Sequence, residues 1–450
     1  MLEMPTADAL ERYLTLTTQQ MKLTATNMAN QNTDGYTRRV ASFSNNDTVN
    51  VNGISTSSGV SATVTAQRDR VLQRSLQQAT EASSASSART TALDNLQSLF
   101  MIDSSGDDAS GIGAAISNFF NSMTSLGSSP SDTNTRQTAY TAAQALVTTM
   151  NRTASQLSSQ TSSLNQQIGT SVDQVNSLLT NIASLNKQIQ QSGGQDTDGL
   201  QDQRDQAVLS LAKLVDVNTV TATDGTVNLS LSDGTPLLSG TQAMNLSTAT
   251  VSGNLHILSN GNDVTSSVLS GSIGGLLQVR DQDIPAVQQQ LDAVAVAISS
   301  AVNAQNAAGT DANGNAGGDV FSGNTAATLS MAISSGGGIA ASSDGSNATA
   351  IGAVASQAIV GSMTASGAFS TMITSLGQTV SGASTTKSAN DAVLTQTSTQ
   401  VANVSGVSLD TEAANLTQYQ RSYEAAAKVL SIANELMAQA INLGQQTTVS

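Results

Sequence analysis

Apolar side chains recur every seven residues over the forty positions from Met150 to Ile189. Two rows share this spacing and ten of their twelve members are apolar: Met150, Leu157, Leu164, Ser171, Leu178 and Leu185, then Ala154, Thr161, Ile168, Val175, Ile182 and Ile189. Such rows predict one α-helix that packs along a narrow seam, on the order of 60 Å long at the usual rise per residue. Because this helix cannot bury its apolar stripe alone, the sequence predicts a bundle of long helices.

Both ends of the chain carry a similar but more polar pattern. Over residues 6–30 its members are Leu10, Leu14, Thr17, Met21, Thr24 and Met28. From about Leu409 to Leu443 they are Leu409, Ala413, Leu416, Gln420, Tyr423, Ala427, Leu430, Asn434, Met437 and Ile441. The two seams can pair only if the chain doubles back, which predicts paired N- and C-terminal coiled-coil helices. Four of the five tyrosines lie in these end segments, which is typical of an interface: Tyr13, Tyr36, Tyr419 and Tyr423.

Residues 217–268 have a different character. Tight-turn dipeptides separate short alternating runs there, at Asp224-Gly225, Asp233-Gly234, Gly253-Asn254 and Asn260-Gly261. Turns of this kind at close spacing are typical of β-hairpins. We therefore expect a mainly α fold in which a small β-rich domain is inserted between helices.

The patterns divide the chain into four regions. These are a terminal helical stem (1–45 with 406–450), a helical bundle (60–215 with 272–306 and 350–405), a small β domain (217–271) and a loop-rich connection (307–349). The connection is rich in Gly, Ala, Ser and Asn and carries little periodicity, so we expect it to be loop or poorly ordered.

Composition argues against several classes of function. Aromatic residues make up 2% of the chain, which suits helices that meet along narrow seams rather than a broad aromatic core. The net charge is −15, which disfavours binding to nucleic acid or to an anionic membrane surface. The absence of cysteine excludes disulfides, thiolate nucleophiles and cysteine metal sites. The first residues lack the basic and apolar regions of a Sec-type signal, so export would need another route.

Residues with catalytic chemistry are few. The single histidine, His256, lies in a predicted strand and has no second histidine or cysteine with which to bind zinc. Asp202, Arg204 and Asp205 form a charged group for which we expect a helix-surface ion pair or an interdomain contact rather than a substrate site. We expect no catalytic residue and no cofactor.

One segment has the spacing that opens a calcium-binding loop. Asp311, Asn313 and Asn315 stand at alternate positions, but Ala316 and Ser322 occupy the places that require Gly and Glu. We therefore expect no metal site at this segment.

The two termini resemble a known family of proteins. Leu23 to Arg39 has the sequence Leu-Thr-Ala-Thr-Asn-Met-Ala-Asn-Gln-Asn-Thr-Asp-Gly-Tyr-Thr-Arg-Arg. It resembles the N-terminal signature of flagellar rod, hook and hook-associated proteins, in which small helical residues precede Asn-x-x-Thr-x-Gly-Tyr. Residues 406–416, with Tyr419-Gln-Arg-Ser-Tyr423 and the alanines 425–427, resemble the matching C-terminal signature.

Interior segments resemble the hook-associated protein 1 family in particular. They are Asp-Gln-Arg-Asp within 200–205 followed by 211–215, Gly-Gly-Leu-Leu-x-x-Arg-Asp within 273–281, and a Gly-x-Asp-x-Asn-Gly loop that ends at Phe321. The likeness extends over nearly all of the chain and is weakest at 220–270 and 325–380.

The resemblance implies an extracellular structural subunit that joins the flagellar hook to the filament after flagellar type III export. It implies self-association in a ring-like layer, contact with the hook protein and hook-associated protein 3, and an export chaperone on the C-terminal region. The implied assembly interface comprises Leu10, Leu14, Met21, Met28, Asn30, Gly35, Tyr36, Leu409, Leu416, Tyr419, Tyr423, Leu430, Met437 and Ile441.

Other classes of function stay open at this point. The chain could be another axial protein, such as the hook protein or hook-associated protein 3, or a secreted adhesin that binds through its β insert. A muralytic or other enzyme on a flagellar scaffold would need a carboxylate pair or a metal cluster in the insert. Asp224, Asp233 and Asp263 are available, but each lies at a turn, where aspartate is common.

Overall fold

The computed structural model describes residues 5–45, 48–51, 54–57, 60–100, 111–193 and 197–446. Its α-helices are α1 (Pro5–Ala29), α2 (Arg70–Ser98), α3 (Ile112–Ser128), α4 (Thr133–Gln191), α5 (Asp198–Ala212), α6 (Gly271–Gln278), α7 (Ile284–Ala307), α8 (Ser346–Ala353), α9 (Ala365–Ser405) and α10 (Leu409–Gln446). The predicted mainly α fold with inserted β structure is confirmed. Among the described helices, none has the length and hydropathy needed to cross a bilayer.

The strands form small antiparallel sheets. They are β1 (Arg39–Asn45), β2 (Thr48–Val51), β3 (Ile54–Ser57), β4 (Val60–Ala66), β5 (Asn218–Thr221), β6 (Val227–Ser230), β7 (Pro236–Ser239), β8 (Gln242–Ala243), β9 (Leu246–Val251), β10 (Asn254–Ser259), β11 (Asn262–Asp263), β12 (Phe321–Ser322) and β13 (Ser330–Met331). A two-stranded ribbon, β1 with β4 and β2 with β3, follows α1. The inserted domain contains the sheets β5-β6-β7-β8 and β11-β10-β9.

The long helix α4 has 59 residues, which makes it about 90 Å long. It begins after Asp132, whose carboxylate accepts hydrogen bonds from the backbone N–H groups of Asn134 and Thr135. The predicted helix is therefore confirmed and is longer than its clearest heptads indicated.

In the C-terminal half of α4 the predicted positions Val175, Ile182, Leu185 and Ile189 are buried, but the strict seven-residue register fails at Ser171 and Leu178. Val172 and Leu179 are buried, whereas the predicted positions Ser171 and Leu178 are only half-buried. After Leu164 the next buried residues are Ile168 and Val172, two successive steps of four residues. The buried row is therefore shifted by one residue from the strict period of seven. A straight helix has 3.6 residues per turn, so an exact period of seven drifts off one face unless the helices supercoil.

Asparagines on α4 hold the β domain against the helix. The side-chain amide of Asn176 donates to the carbonyl of Leu246 and accepts from its N–H, both at 2.8 Å. Fully buried Asn186 makes the same pair of bonds with Val227, at 2.9 and 3.2 Å. Each amide thus satisfies a strand backbone that has no further strand beside it at that point.

The turns of the β domain follow one pattern. The carboxylates of Asp224, Asp233 and Asp263 each accept a hydrogen bond from the N–H of a threonine two residues later, at 3.0, 2.8 and 2.9 Å. The hydroxyls of Thr226, Ser267 and Thr265 also donate to these carboxylates. The hydroxyl bonds first, and the backbone N–H bonds second, stabilise the ionised form and lower the pKa of all three groups. The three aspartates are turn residues and do not form a carboxylate pair.

The segment 307–349 is packed into the body of the protein. The ring of Phe321 is 1% exposed and meets Phe119 edge-on, with 5.5 Å between the ring centroids. Phe119 in turn lies 5.0 Å from Phe120. The segment contains little regular structure, yet it covers the most aromatic part of the core.

The carboxylate of Glu81 joins α2 to the entrance of the β domain. It accepts hydrogen bonds from the N–H of Val217 and the amide of Gln77, both at 3.1 Å. The pKa of Glu81 is raised from 4.5 to about 7, mainly by burial and to a smaller extent by the nearby carboxylate of Asp216. The folded protein therefore holds a proton at this site at pH values where the unfolded chain has released it.

This shift predicts a pH-dependent contribution to stability. Between about pH 4.5 and 7, the raised pKa makes the Glu81 contribution fall as pH rises, by up to about 3 kcal/mol in total. Glu81→Gln keeps the hydrogen-bond acceptor and removes the titration, so the wild-type free energy of unfolding should fall relative to the variant across this window. Urea unfolding at several pH values measures the difference, with Asp94→Asn on the exposed side of α2 as the control. An unchanged wild-type-minus-variant difference would contradict the prediction.

Candidate assembly interface

The two ends of the chain meet, because α1 packs against α10. On α1, Thr17 and Thr24 are buried, at 2% and 4% exposure, and Leu10, Leu14, Met21 and Met28 are half-buried. The hydroxyl of Thr17 donates to the carbonyl of Tyr13 at 2.7 Å, which allows a polar side chain to lie in the seam.

The facing side of α10 centres on Ala426, which is 7% exposed. Of the residues predicted for the interface, those that are half-buried on α10 are Leu416, Tyr419, Leu430 and Met437. Leu409 and Tyr423 are exposed, at 43% and 37%. The side chain of Ile441 lies outside the described part of the structure. The seam is therefore rotated slightly from the predicted heptad.

A second apolar face of α10 points away from this seam. Val429, Ile432 and Leu436 are 52%, 49% and 60% exposed. Their spacing of three and four residues places them on one side of the helix. These three residues lie outside the heptad predicted for this helix, although their spacing is visible in the sequence. A row of exposed large aliphatic side chains on one helix face is typical of a surface that another molecule covers.

The segment after α1 is held by Asn27, a buried residue with 1% exposure. Its side-chain oxygen accepts from the Tyr36 hydroxyl at 2.8 Å and from the N–H of Arg39 at 3.0 Å. Its amide nitrogen donates to the carbonyl of Arg39 at 3.0 Å. Burial raises the pKa of Tyr36, so its hydroxyl stays protonated as a donor. The predicted Asn30 is half-buried and caps the end of α1 by donating to the carbonyl of Thr26 at 2.9 Å.

Gly35 is exposed, as the turn residue of this segment. Its φ of +77° lies in the left-handed region that favours glycine. A side chain at this position would also collide with Gln206 on α5. Gly35 thus allows the turn to lie directly against the helical body.

The neighbouring side chains Arg38 and Arg39 point to different parts of the molecule. Arg38 Nε lies 2.7 Å from Glu412 Oε1 on α10, and Glu412 is 1% exposed. Arg39 Nη2 lies 2.6 Å from Asp202 Oδ2 on α5. Arg68, just after β4, reaches the other oxygen of Asp202, also at 2.6 Å. The charged group predicted around Asp202 is therefore a contact between regions that are distant in sequence.

The remaining candidate residues have local partners. His256 Nδ1 lies 2.6 Å from Asp263 Oδ2 across the β10–β11 hairpin. Asp311 Oδ1 accepts from the N–H groups of Asn313 and Asn315, both at 2.8 Å, which forms a turn. Within the described residues, three or more metal-binding side chains do not come together anywhere.

Two family models match the chain. The model of the flagellar hook-associated protein FlgK helical domain matches residues 101–321. The model of the flagellar basal body rod FlgEFG protein C-terminal region matches residues 399–443, which include most of α10.

Several known proteins are similar over long stretches. Flagellar hook-associated protein 1 of Salmonella typhimurium is 31% identical over 66% of this chain and 55% of its own length. The chain thus spans about half the length of that relative. The protein of the same name from Bacillus subtilis is 26% identical over 97% of both chains. The flagellar hook junction protein FlgK of Burkholderia pseudomallei has the same fold, with a TM-score of 0.67 at 20% identity over 72% of this chain and 98% of its own.

The seam between α1 and α10 can be tested at Ala426. Ala426→Arg places a long charged side chain against α1, so α1 should lose its packing, and its backbone amides should exchange at least about tenfold faster. The matched control is Ala425→Arg, because Ala425 is exposed on the same turn. Hydrogen–deuterium exchange of residues 10–29 is the measurement. Equal exchange in the two variants, or an unprotected α1 in the unmodified chain, would show that the seam does not order α1.

Proposed function

We propose that this chain, which belongs to the flagellar hook-associated protein 1 family, is a structural subunit of the bacterial flagellum that joins the hook to the filament. The observation that carries the proposal is the pairing of α1 with α10, which leaves the apolar face of Val429, Ile432 and Leu436 uncovered. A subunit that polymerises needs such a surface, whereas a free monomer gains nothing from it.

The residues proposed as the assembly interface fall into two groups. Half-buried members of the seam, such as Leu14 and Met437, fix α1 on α10 within one subunit. Exposed members, such as Leu409 and Tyr423, lie on another side of α10 from Val429, Ile432 and Leu436 and are proposed as further contacts with neighbouring subunits. The stem, bundle, β domain and connection predicted from sequence are proposed as the working division of the chain. In this proposed division, the stem forms the inner part of the polymer, and the bundle, β domain and connection lie outside it.

The proposed role is non-enzymatic. The carboxylates that an enzyme might have used in the β domain are bound to backbone N–H groups at turns. Asp202 is bound to Arg39 and Arg68 rather than open to a substrate. The carboxylates considered as catalytic candidates thus have structural partners. They are Asp202, Asp224, Asp233 and Asp263.

The proposed partners are further copies of the same chain in a ring-like layer, the hook protein below it and hook-associated protein 3 above it. An export chaperone would bind the C-terminal region before the subunit leaves the cell by the flagellar type III route. The polar seam of the stem supports this route, because a weakly held helix pair can open for export. The match of residues 101–321 to the FlgK helical domain favours this role over that of another axial protein.

Deletion of the gene in the source bacterium tests the junction role. Cells should carry hooks without filaments and should lose flagellin monomer to the medium, because the filament has nothing to grow on. Electron microscopy of the cell surface and a flagellin assay of the medium are the measurements, with the wild-type gene restored on a plasmid as the control. Normal filaments in the deleted strain would reject the proposal and favour a secreted adhesin.

Truncation of the stem tests where assembly resides. Chains that lack residues 1–40 or 410–450 should fail to restore filaments. They should nevertheless stay folded, because the main apolar core lies between Ala92 and Ala383. Circular dichroism and thermal unfolding of the purified truncated chains check the folding, and filament counts check the assembly. A truncated chain that still supports filaments would place the interface elsewhere.

A further inference from the structure

The helices of the stem, α1 and α10, meet the helical body through residues 37–39 and Arg68. These few residues make polar contacts in two directions. The N–H of Arg38 donates to the carbonyl of Ser405 at 2.8 Å, at the end of α9. The N–H of Thr37 donates to Asp202 Oδ2 at 3.3 Å, on α5. The side chain of Arg38 reaches Glu412 on α10, with 2.7 Å between Nε and Oε1, so the segment is bonded to the stem as well as to the body.

The alternation of side chains along an extended segment explains this double role. Successive side chains of a strand point to opposite sides. Arg38 therefore turns to Glu412 on the stem, while Arg39 turns to Asp202 on the body. Two adjacent arginines thus connect two helices that lie 210 positions apart in the sequence, at 202 and 412.

Asp202 is the centre of the contact on the body side. It is 8% exposed, and its two oxygens are bound by arginines from both strands of the ribbon, Arg39 at the start of β1 and Arg68 after β4. Arg68 also donates to the carbonyl of Asp198 at 2.8 Å. One carboxylate therefore holds both ends of the chain segment that emerges between α1 and α2.

The neighbouring Asp205 makes weaker contacts with the same group. It lies 3.6 Å from Arg68 Nε and 3.7 Å from Arg204 Nε, and its side chain is 32% exposed. These two nitrogens are buried and have no hydrogen-bond partner. The shortest ion pairs of this group are therefore those with Asp202, at 2.6 Å, whereas Asp205 and the carboxylate of Asp198, 3.5 Å from Arg68 Nη1, are more distant opposite charges.

Buried ion pairs add little net stability, but removing one partner is strongly destabilising because it leaves an uncompensated buried charge. We propose that Asp202 is the positioning residue that sets the angle between stem and body, through Arg39 and Arg68, with the Arg38–Glu412 pair as the matching contact on the stem. The consequence rests on the proposed function: identical subunits close into a ring only if each presents the same geometry.

The angle can be measured directly, because the chain has no cysteine of its own. Gln418→Cys on α10 and Thr180→Cys on α4 place spin labels at two exposed sites, one on the stem and one on the body. Double electron–electron resonance should give one narrow distance distribution in the otherwise unmodified chain. Asp202→Asn keeps the shape of the side chain and removes its charge, so the distribution should become at least about twofold wider. Asp202→Glu, which keeps the charge, should restore most of the narrow component.

Asp205→Asn is the matched control and should leave the distribution unchanged, because its contacts are long. Thermal unfolding of each variant shows whether the body stays folded, which separates a lost angle from a lost fold. A narrow distribution in Asp202→Asn, or a broad one in the unmodified chain, would overturn the proposed positioning role.

In cells, Asp202→Asn should lower the fraction of hooks that carry filaments several-fold compared with Asp205→Asn. If the distance distribution widens while filaments form at the wild-type frequency, the angle has no role in assembly and that part of the proposal fails. If cells without the gene make normal filaments, the junction function itself fails, whatever the distance measurement shows.

Discussion

The burial of one apolar stripe on α4 is the interaction on which the rest of the body depends. Helices α3, α5, α6 and α7 and strands of the β domain all pack against this helix. A helix of this length gains most of its stability from such packing, because intrinsic propensity contributes little. With aromatics at 2% of the chain, the stripe consists mainly of Leu, Ile and Val, and each neighbouring element covers one part of it.

The elements that the sequence predicts well are those whose signal is local. The period of the apolar residues on α4 and the Asp-Gly dipeptides of the β domain depend on neighbouring residues only, and both led to the right structure. The shift from Ser171 to Val172 could not be predicted, because it depends on how the partner helices approach. Asn176 and Asn186 look like ordinary surface residues in the sequence. Their role arises only from the strand backbones that the fold places beside them.

The candidate interface shows the same division. The two terminal heptads identified the helices that meet, and the N-terminal resemblance placed Gly35 among the interface residues. The role of Asn27 was missed, since nothing local separates it from the other asparagines nearby. The pairing of Arg39 with Asp202 joins positions 163 residues apart, so the sequence displays both charges but not their contact. The sequence did not point to the outward face at Val429, Ile432 and Leu436. The heptad row predicted on the same helix already accounted for the expected seam with α1.

The stem combines a polar inner seam with an apolar outer face, and this combination has a thermodynamic consequence. The hydroxyl of Thr17 is satisfied within its own helix, so it adds little attraction between α1 and α10. A seam of this kind offsets only part of the conformational entropy lost when two long helices become ordered. The outward side chains contribute about 25 cal/mol for each Å² of apolar surface, but only when another molecule covers them. In the proposed polymer, neighbouring subunits therefore add to the free energy that holds the stem ordered. The contact at Asp202 is complete within one chain, so the direction of the stem is set before its neighbours arrive.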